Sequence, residues 1–170
     1  GASFSLNCNA PCTVTIPDAN FKTYLVGNTA INTNGDTEIQ CSEATAFVGA
    51  INCPSLSISD LTGIEAFTAL TFLDCGNNNL TTLDITNNTL LQDLYCYTNN
   101  SLTMLDVSNN ISLIQLDIGE TDLVGIDLSA NVLLEGLYCY DGNLTTLNVS
   151  NNTALIRIDI MLNNNLTTLD

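Results

Sequence analysis

Internal repetition leaves this chain few folds to choose from, because a short unit that cannot bury its own apolar face must stack on its neighbours. From Leu80 onward successive units begin LTTLDITNN, LTMLDVSNN, LVGIDLSAN, LTTLNVSNN and LTTLD. Their first leucines, Leu80, Leu102, Leu123, Leu144 and Leu166, recur every 21 or 22 residues. Each unit contains a half-length echo, LQDLYCY, LIQLDIG, LEGLYCY or LIRIDIM, so a period of 10 to 11 is nested in the longer one. Within each half the pattern is apolar-polar-apolar, as in Leu83-Asp84-Ile85 and Leu94-Tyr95-Cys96. That alternation predicts a short strand with one buried face. The expected architecture is a repeat solenoid of parallel strands stacked in coils of about 21 residues, two strand-like stretches to a coil.

Asparagines keep the same clock. Asn88, Asn110, Asn131 and Asn152 each follow the first strand leucine or isoleucine by five places. Asn78, Asn99 and Asn163 do so in the other half, where Thr121 and Gly142 break the series. An inward amide can satisfy the backbone groups that a turning coil would otherwise bury unpaired, so these residues predict a structural ladder.

The LTTLDITNN pattern resembles the signature of the leucine-rich repeats, and the nested form resembles the short-repeat subclass of secreted bacterial surface proteins. The resemblance covers residues 56–170. It implies a solenoid that is mostly strand and loop, located outside the cell or on its surface, and used for binding rather than catalysis.

Residues 1–55 break the period and are expected to form a small α-helical cap over the first coil, with the solenoid at 56–170. Pro17-Asp18 predicts a helix start with Phe21 and Leu25 on one face and Gly27-Asn28 at its end. Ser42 is positioned to cap a second helix bearing Ala44, Phe47 and Val48. Leu56-Ser57-Ile58 is expected to be the first strand, and residues 63–69 a helical turn. Residues 32–43 place oxygen-bearing side chains at positions 1, 3, 5, 7, 9 and 12, similar to an EF-hand or dockerin calcium loop. The resemblance implies Asn32, Asn34 and Asp36 as side-chain ligands, Glu38 as a backbone ligand and Glu43 as the bidentate one. Thr37 stands where glycine is usual, and the first helix stops short of the loop. The same residues also suit a polar loop closed by Asx turns.

Seven cysteines divide by location. Cys75, Cys96 and Cys139 take buried strand positions and are read as core. In a secreted cap, Cys8 with Cys12 and Cys41 with Cys53 are the expected disulfides.

Outward strand residues form two columns. One reads Asp84, Asp106, Asp127, Asn148, Asp170, and is read as a solvated acidic face with capacity to attract cations. The other reads Asp74, Tyr95, Asp117, Tyr138, Asp159, with Tyr97 and Tyr140 alongside. Tyrosines on a rigid sheet suit a platform for a protein or glycan, or they cover the gap at Gly119. The candidate binding surface is therefore Asp74, Tyr95, Tyr97, Asp117, Tyr138, Tyr140 and Asp159.

The net charge of -16, from 18 acids against Lys22 and Arg157, argues against nucleic-acid partners. No apolar run is long enough for a membrane helix. Histidine is absent, which removes the Ser-His-Asp and Cys-His mechanisms and histidine-bearing zinc sites. The chain opens Gly-Ala-Ser, read as a mature N-terminus, and stops inside a repeat at Asp170. The leading expectation is a non-catalytic, extracellular binding or adhesion module with calcium as the one candidate cofactor. The alternative is a structural subunit whose copies join head-to-tail into a filament or surface layer.

Overall fold

The computed structural model describes residues 12–170. In chain order the elements are α1 (Ala19–Gly27), α2 (Cys41–Ala46), β1 (Gly49–Asn52), a 3-10 turn (Ile64–Ala66), β2 (Leu70–Asp74), β3 (Asp93–Tyr95), β4 (Gln115–Asp117), β5 (Gly136–Tyr138), β6 (Thr146–Leu147), β7 (Arg157–Asp159) and β8 (Thr168–Leu169). Strands β1, β2, β3, β4, β5 and β7 stack in that order as one parallel sheet. The register advances by one coil at each step, pairing Leu73 with Leu94, Leu116, Leu137 and Ile158 in succession. The repeat solenoid expected from the periodicity is the observed architecture.

The inward residues of the two half-coils meet in a continuous core. Leu80, Leu94, Leu102, Leu116 and Leu137 are fully buried, and so are Cys75 and Cys96. Burying each leucine contributes about 2 kcal/mol relative to leaving it in water. The asparagine ladder runs along the core as expected. Asn110 Nδ2 donates to the carbonyls of Ile85 and Asn88, Asn131 Nδ2 to those of Val107 and Asn110, and Asn152 Nδ2 to those of Leu128 and Asn131. In this series the amides act as donors only: their Oδ1 atoms accept no hydrogen bond among the described residues. In the other half, Asn78 Oδ1 accepts the Leu56 and Ile58 N–H groups, and Asn99 Oδ1 accepts that of Leu80.

The two half-coils do not contribute strands equally. The first-half stretches pair as a ladder only between β6 and β8. The outward column of that half carries Asp84, Asp106 and Asp127 on consecutive coils, and like charges directly opposite oppose close pairing. The ladder forms where uncharged Asn148 interrupts the acids. In the second half, Asp and Tyr alternate from coil to coil, no two carboxylates are direct neighbours, and the sheet is continuous.

Each coil leaves its second strand through a left-handed residue: Asn77, Thr98, Glu120, Asp141 and Leu162 all have positive φ. Such a conformation costs a non-glycine residue about 1–3 kcal/mol. In the first four it directs the N–H at the next coil, as in Thr98 to Gly119 O (2.8 Å) and Glu120 to Tyr140 O (2.8 Å).

Several expectations for the cap need correction. Helix α1 is as expected: Asp18 caps it, accepting the N–H groups of Asn20 and Phe21, while Phe21 and Leu25 are buried. Asp18 also accepts two bonds from Ser59, tying the cap to the first coil. Helix α2 starts at Cys41, with Gln40 and Glu43 forming a capping box in place of a Ser42 cap. Phe47 ends that helix, and Val48 is exposed beyond it. The first strand is Gly49–Asn52, which lies within the segment assigned to the cap, rather than Leu56-Ser57-Ile58.

The disulfide joins Cys12 to Cys41, replacing the expected partners of both. An antiparallel bridge between Thr13 and Gln40, with the Cys41 N–H donating to Cys12 O at 2.7 Å, brings their Cα atoms to 5.4 Å. Cys53 instead points into the core as a free thiol, and Cys8 lies outside the described residues.

Candidate functional site

The second-strand sheet brings all seven residues of the candidate surface onto one face. Three outward columns cross it: Phe72, Asp93, Gln115, Gly136, Arg157; then Asp74, Tyr95, Asp117, Tyr138, Asp159; then Gly76, Tyr97, Gly119, Tyr140, Met161. Large residues interlock with small ones between coils. A Cβ added at Gly119 would lie 2.5, 2.6 and 2.8 Å from Cζ, Cε1 and Cε2 of Tyr140, so that ring lies flat over the glycine. Gly76 underlies the ring of Tyr97 in the same way, and Gly136 accommodates the side chain of Gln115. Both readings of the tyrosines therefore apply. Tyr140 does cover Gly119, and both flat-lying tyrosines remain partly exposed. Phe72 extends the aromatic strip, its centroid 5.5 Å from that of Tyr95.

Asp117 sits at the centre of this face. Tyr95 and Tyr138 flank it in register on the adjoining strands. Tyr97 and Tyr140 stand in the next column, and the charge of Asp117 helps raise the pKa of both. Its Oδ1 accepts the Gly119 N–H at 3.0 Å. Asp74 and Asp159 make the equivalent bonds to Gly76 (3.0 Å) and Met161 (3.1 Å). Desolvation, with smaller repulsion from Asp74, Asp159 and Glu120, holds the Asp117 carboxyl above the usual carboxylate range despite its hydrogen bond. Burial likewise raises Asp93, and burial reinforced by nearby carboxylates raises Tyr95, Tyr97 and Tyr140. The face has a surplus of negative charge: the Lys22–Glu38 contact is the salt bridge among the described residues, and Arg157 is exposed at the edge of the first column.

Phe72, Gly76, Asp93 and Gln115 belong to this face and were not singled out from sequence. The alternation of Asp-x-Gly with Tyr-x-Tyr from coil to coil is the signal that marks Gly76.

The first acidic column behaves differently. Asp84, Asp106 and Asp127 each fold back on the Thr or Ser two residues on, and those side-chain and backbone bonds hold all three carboxyls below the usual range. Beside them an open groove of about 490 Å³ is lined by Leu61, Leu83, Leu105, Asp84, Asp106 and Met104.

The cap loop is closed by its own bonds. Glu43 Oε1 accepts from Thr33 N (2.8 Å), Thr33 Oγ1 (3.0 Å) and Asn34 N (3.1 Å), and Oε2 from Gln40 N (3.0 Å). Asp36 accepts from Glu38 N, Asn34 Nδ2 and Gln40 Nε2. Asn32 bridges Val26 O, Asp36 O and the Gly35 N–H, and Glu38 pairs with Lys22 at 2.6 Å. The carboxylates that a calcium ion would use face N–H donors, and no cluster of three metal-ligating acids, cysteines or histidines occurs among the described residues. These bonds are those of an Asx-turned loop, and they engage the same Asn32, Asn34, Asp36 and Glu43 side chains that the calcium-loop resemblance assigns as ligands.

Coil spacing, the parallel sheet and the asparagine ladder define a leucine-rich-repeat solenoid, and comparisons with known proteins agree. A segment of 73 residues, 43% of the chain, is 40% identical to internalin J of Listeria monocytogenes, of which it spans 8%. An internalin of known structure from the same species superposes with a TM-score of 0.62 at 16% identity, over 96% of this chain and 66% of the other. The leucine-rich-repeat ectodomain of a receptor kinase from Arabidopsis thaliana gives 0.58 at 20% identity, over 71% and 73% of the two chains. No protein-family model matches the chain. Among the described residues no helix is long and apolar enough to cross a membrane.

Proposed function

We propose that this chain is a non-catalytic binding module of an extracellular or surface-exposed bacterial protein, and that it engages a protein partner through the tyrosine–aspartate face. The observation that carries this reading is the seating of Tyr97 and Tyr140 on Gly76 and Gly119. Two rings held flat on a rigid sheet present apolar and polar contact area whose ordering has already been met by the fold, which lowers the entropic cost of association. The internalin likeness and the receptor-ectodomain fold support a recognition role over an enzymatic one.

The test is saturable binding of the labelled chain to intact bacterial and animal cells, compared with Tyr97→Ala/Tyr140→Ala. Loss of at least about tenfold in affinity is expected on removing two central aromatic contacts. Undiminished binding by the double variant would move the functional surface elsewhere.

A further inference from the structure

The face described above has a chemistry that narrows its partner. It carries Asp74, Asp93, Asp117, Asp159 and Glu120 against a single base, Arg157, on a chain of net charge -16. Four half-buried tyrosines surround Asp117, and one of its oxygens is engaged by the Gly119 N–H. A carboxylate at the centre of aromatic rings is poorly hydrated, and among the described residues Asp117 has no cationic partner. Flat ring faces stack well with a planar, weakly hydrated guanidinium, less well with a compact ammonium that holds its water.

Resting on the reading of this face as a protein-binding surface, we propose that it recognises arginine side chains of the partner. A guanidinium lies on the outer ring face of Tyr97 or Tyr140 and donates to the Oδ2 atom of Asp117. Desolvation is the main cause of the raised Asp117 carboxyl, and an incoming cation offsets the smaller repulsion from Asp74, Asp159 and Glu120. The two flat tyrosines are two coils apart, about 9.6 Å at ordinary strand spacing. Residues three apart in a polyproline II segment lie on one side at about 9.3 Å, so an Arg-x-x-Arg segment reaches both rings.

The probe is a fluorescein-labelled peptide containing Arg-Pro-Pro-Arg, with Lys-Pro-Pro-Lys as its isocharged control, read by anisotropy at low and near-physiological salt. The arginine peptide is expected to bind at least about fivefold more tightly than the lysine peptide. Asp117→Asn, which keeps an acceptor for the Gly119 N–H, is expected to weaken arginine binding about tenfold or more, while Asp106→Asn, the same charge change on the other column, alters it less than about twofold. Equal effects of the two variants, or equal binding of the two peptides, would reduce the attraction to net charge and overturn the inference. If cell binding requires Tyr97 and Tyr140 but the peptide ignores Asp117, the arginine assignment fails and the binding face stands. If the tyrosine double variant binds cells normally, the face itself is wrong.

Discussion

The ring of Tyr140 lies against Gly119 of the preceding coil, so closely that a single added methyl group would sit 2.5 Å from Cζ. Gly119→Ala must displace the ring or the strand, at a cost of about 1–3 kcal/mol for an overpacked contact. Removing the ring removes the conflict. Gly119→Ala in a Tyr140→Ala background is therefore expected to cost markedly less than in the wild type, a coupling that a double-mutant cycle by urea denaturation will measure. Additive losses would mean that the two residues do not touch.

Asn131 is fully buried, and its amide spans the carbonyls of Val107 (3.0 Å) and Asn110 (2.9 Å). Asn131→Ala leaves both without that donor and opens a void, so a loss of about 2–4 kcal/mol is expected. Asn131→Asp should be worse than alanine, because a carboxylate facing two carbonyls is repelled and has no cation to pair with. Thermal unfolding of the two variants gives the order directly.

Glu43 gives the cap a pH dependence. Burial alone would raise its carboxyl, but bonds from Gln40, Asn34 and Thr33 outweigh that effect and hold it below the usual glutamate range. The folded pKa is thus lower than the unfolded one. The stabilisation is present above the unfolded value and is lost as pH falls through the depressed folded value. Glu43→Gln should destabilise the protein by about 1–3 kcal/mol at neutral pH, since an amide cannot accept at both of its polar atoms. The gap between variant and wild-type melting temperatures should close in strong acid. At neutral pH, a calcium-dependent rise in the wild-type melting temperature that Glu43→Gln abolishes would identify the loop as a metal site, and an unchanged melting temperature would identify it as a loop closed by its own bonds alone.

The Cys12–Cys41 bond spans 29 residues of sequence. In the chain-entropy account a loop of that size contributes about 3–4 kcal/mol, so Cys12→Ser should lower the melting temperature by several degrees. The free thiols behave oppositely. Burial pushes the Cys53 and Cys139 thiols up to about 12, and it raises those of Cys75 and Cys96 as well. A thiol-alkylating reagent near neutral pH should leave these four unmodified in the native protein and label them after unfolding, as counted by mass spectrometry.

The repeat spacing by itself determined the solenoid, its parallel sheet, the inward leucines and cysteines and the asparagine ladder. Each follows from a local period that every coil must satisfy to stack on the next, and the outward columns follow from the same period. What sequence left open depends on contacts between coils. The seating of Tyr97 on Gly76, the splitting of the two half-coils into a continuous sheet and a splayed acidic column, and the enclosure of Asp117 all arise from side chains about 21 residues apart. Left-handed residues such as Thr98 carry no local mark, because the bond to the following coil compensates what the residue type disfavours. The cap was less legible than the repeats, having no period to read. Sequence alone pairs Cys41 with Cys53, whereas the bridge between Thr13 and Gln40, which exists only once the chain has folded, sets Cys12 beside it.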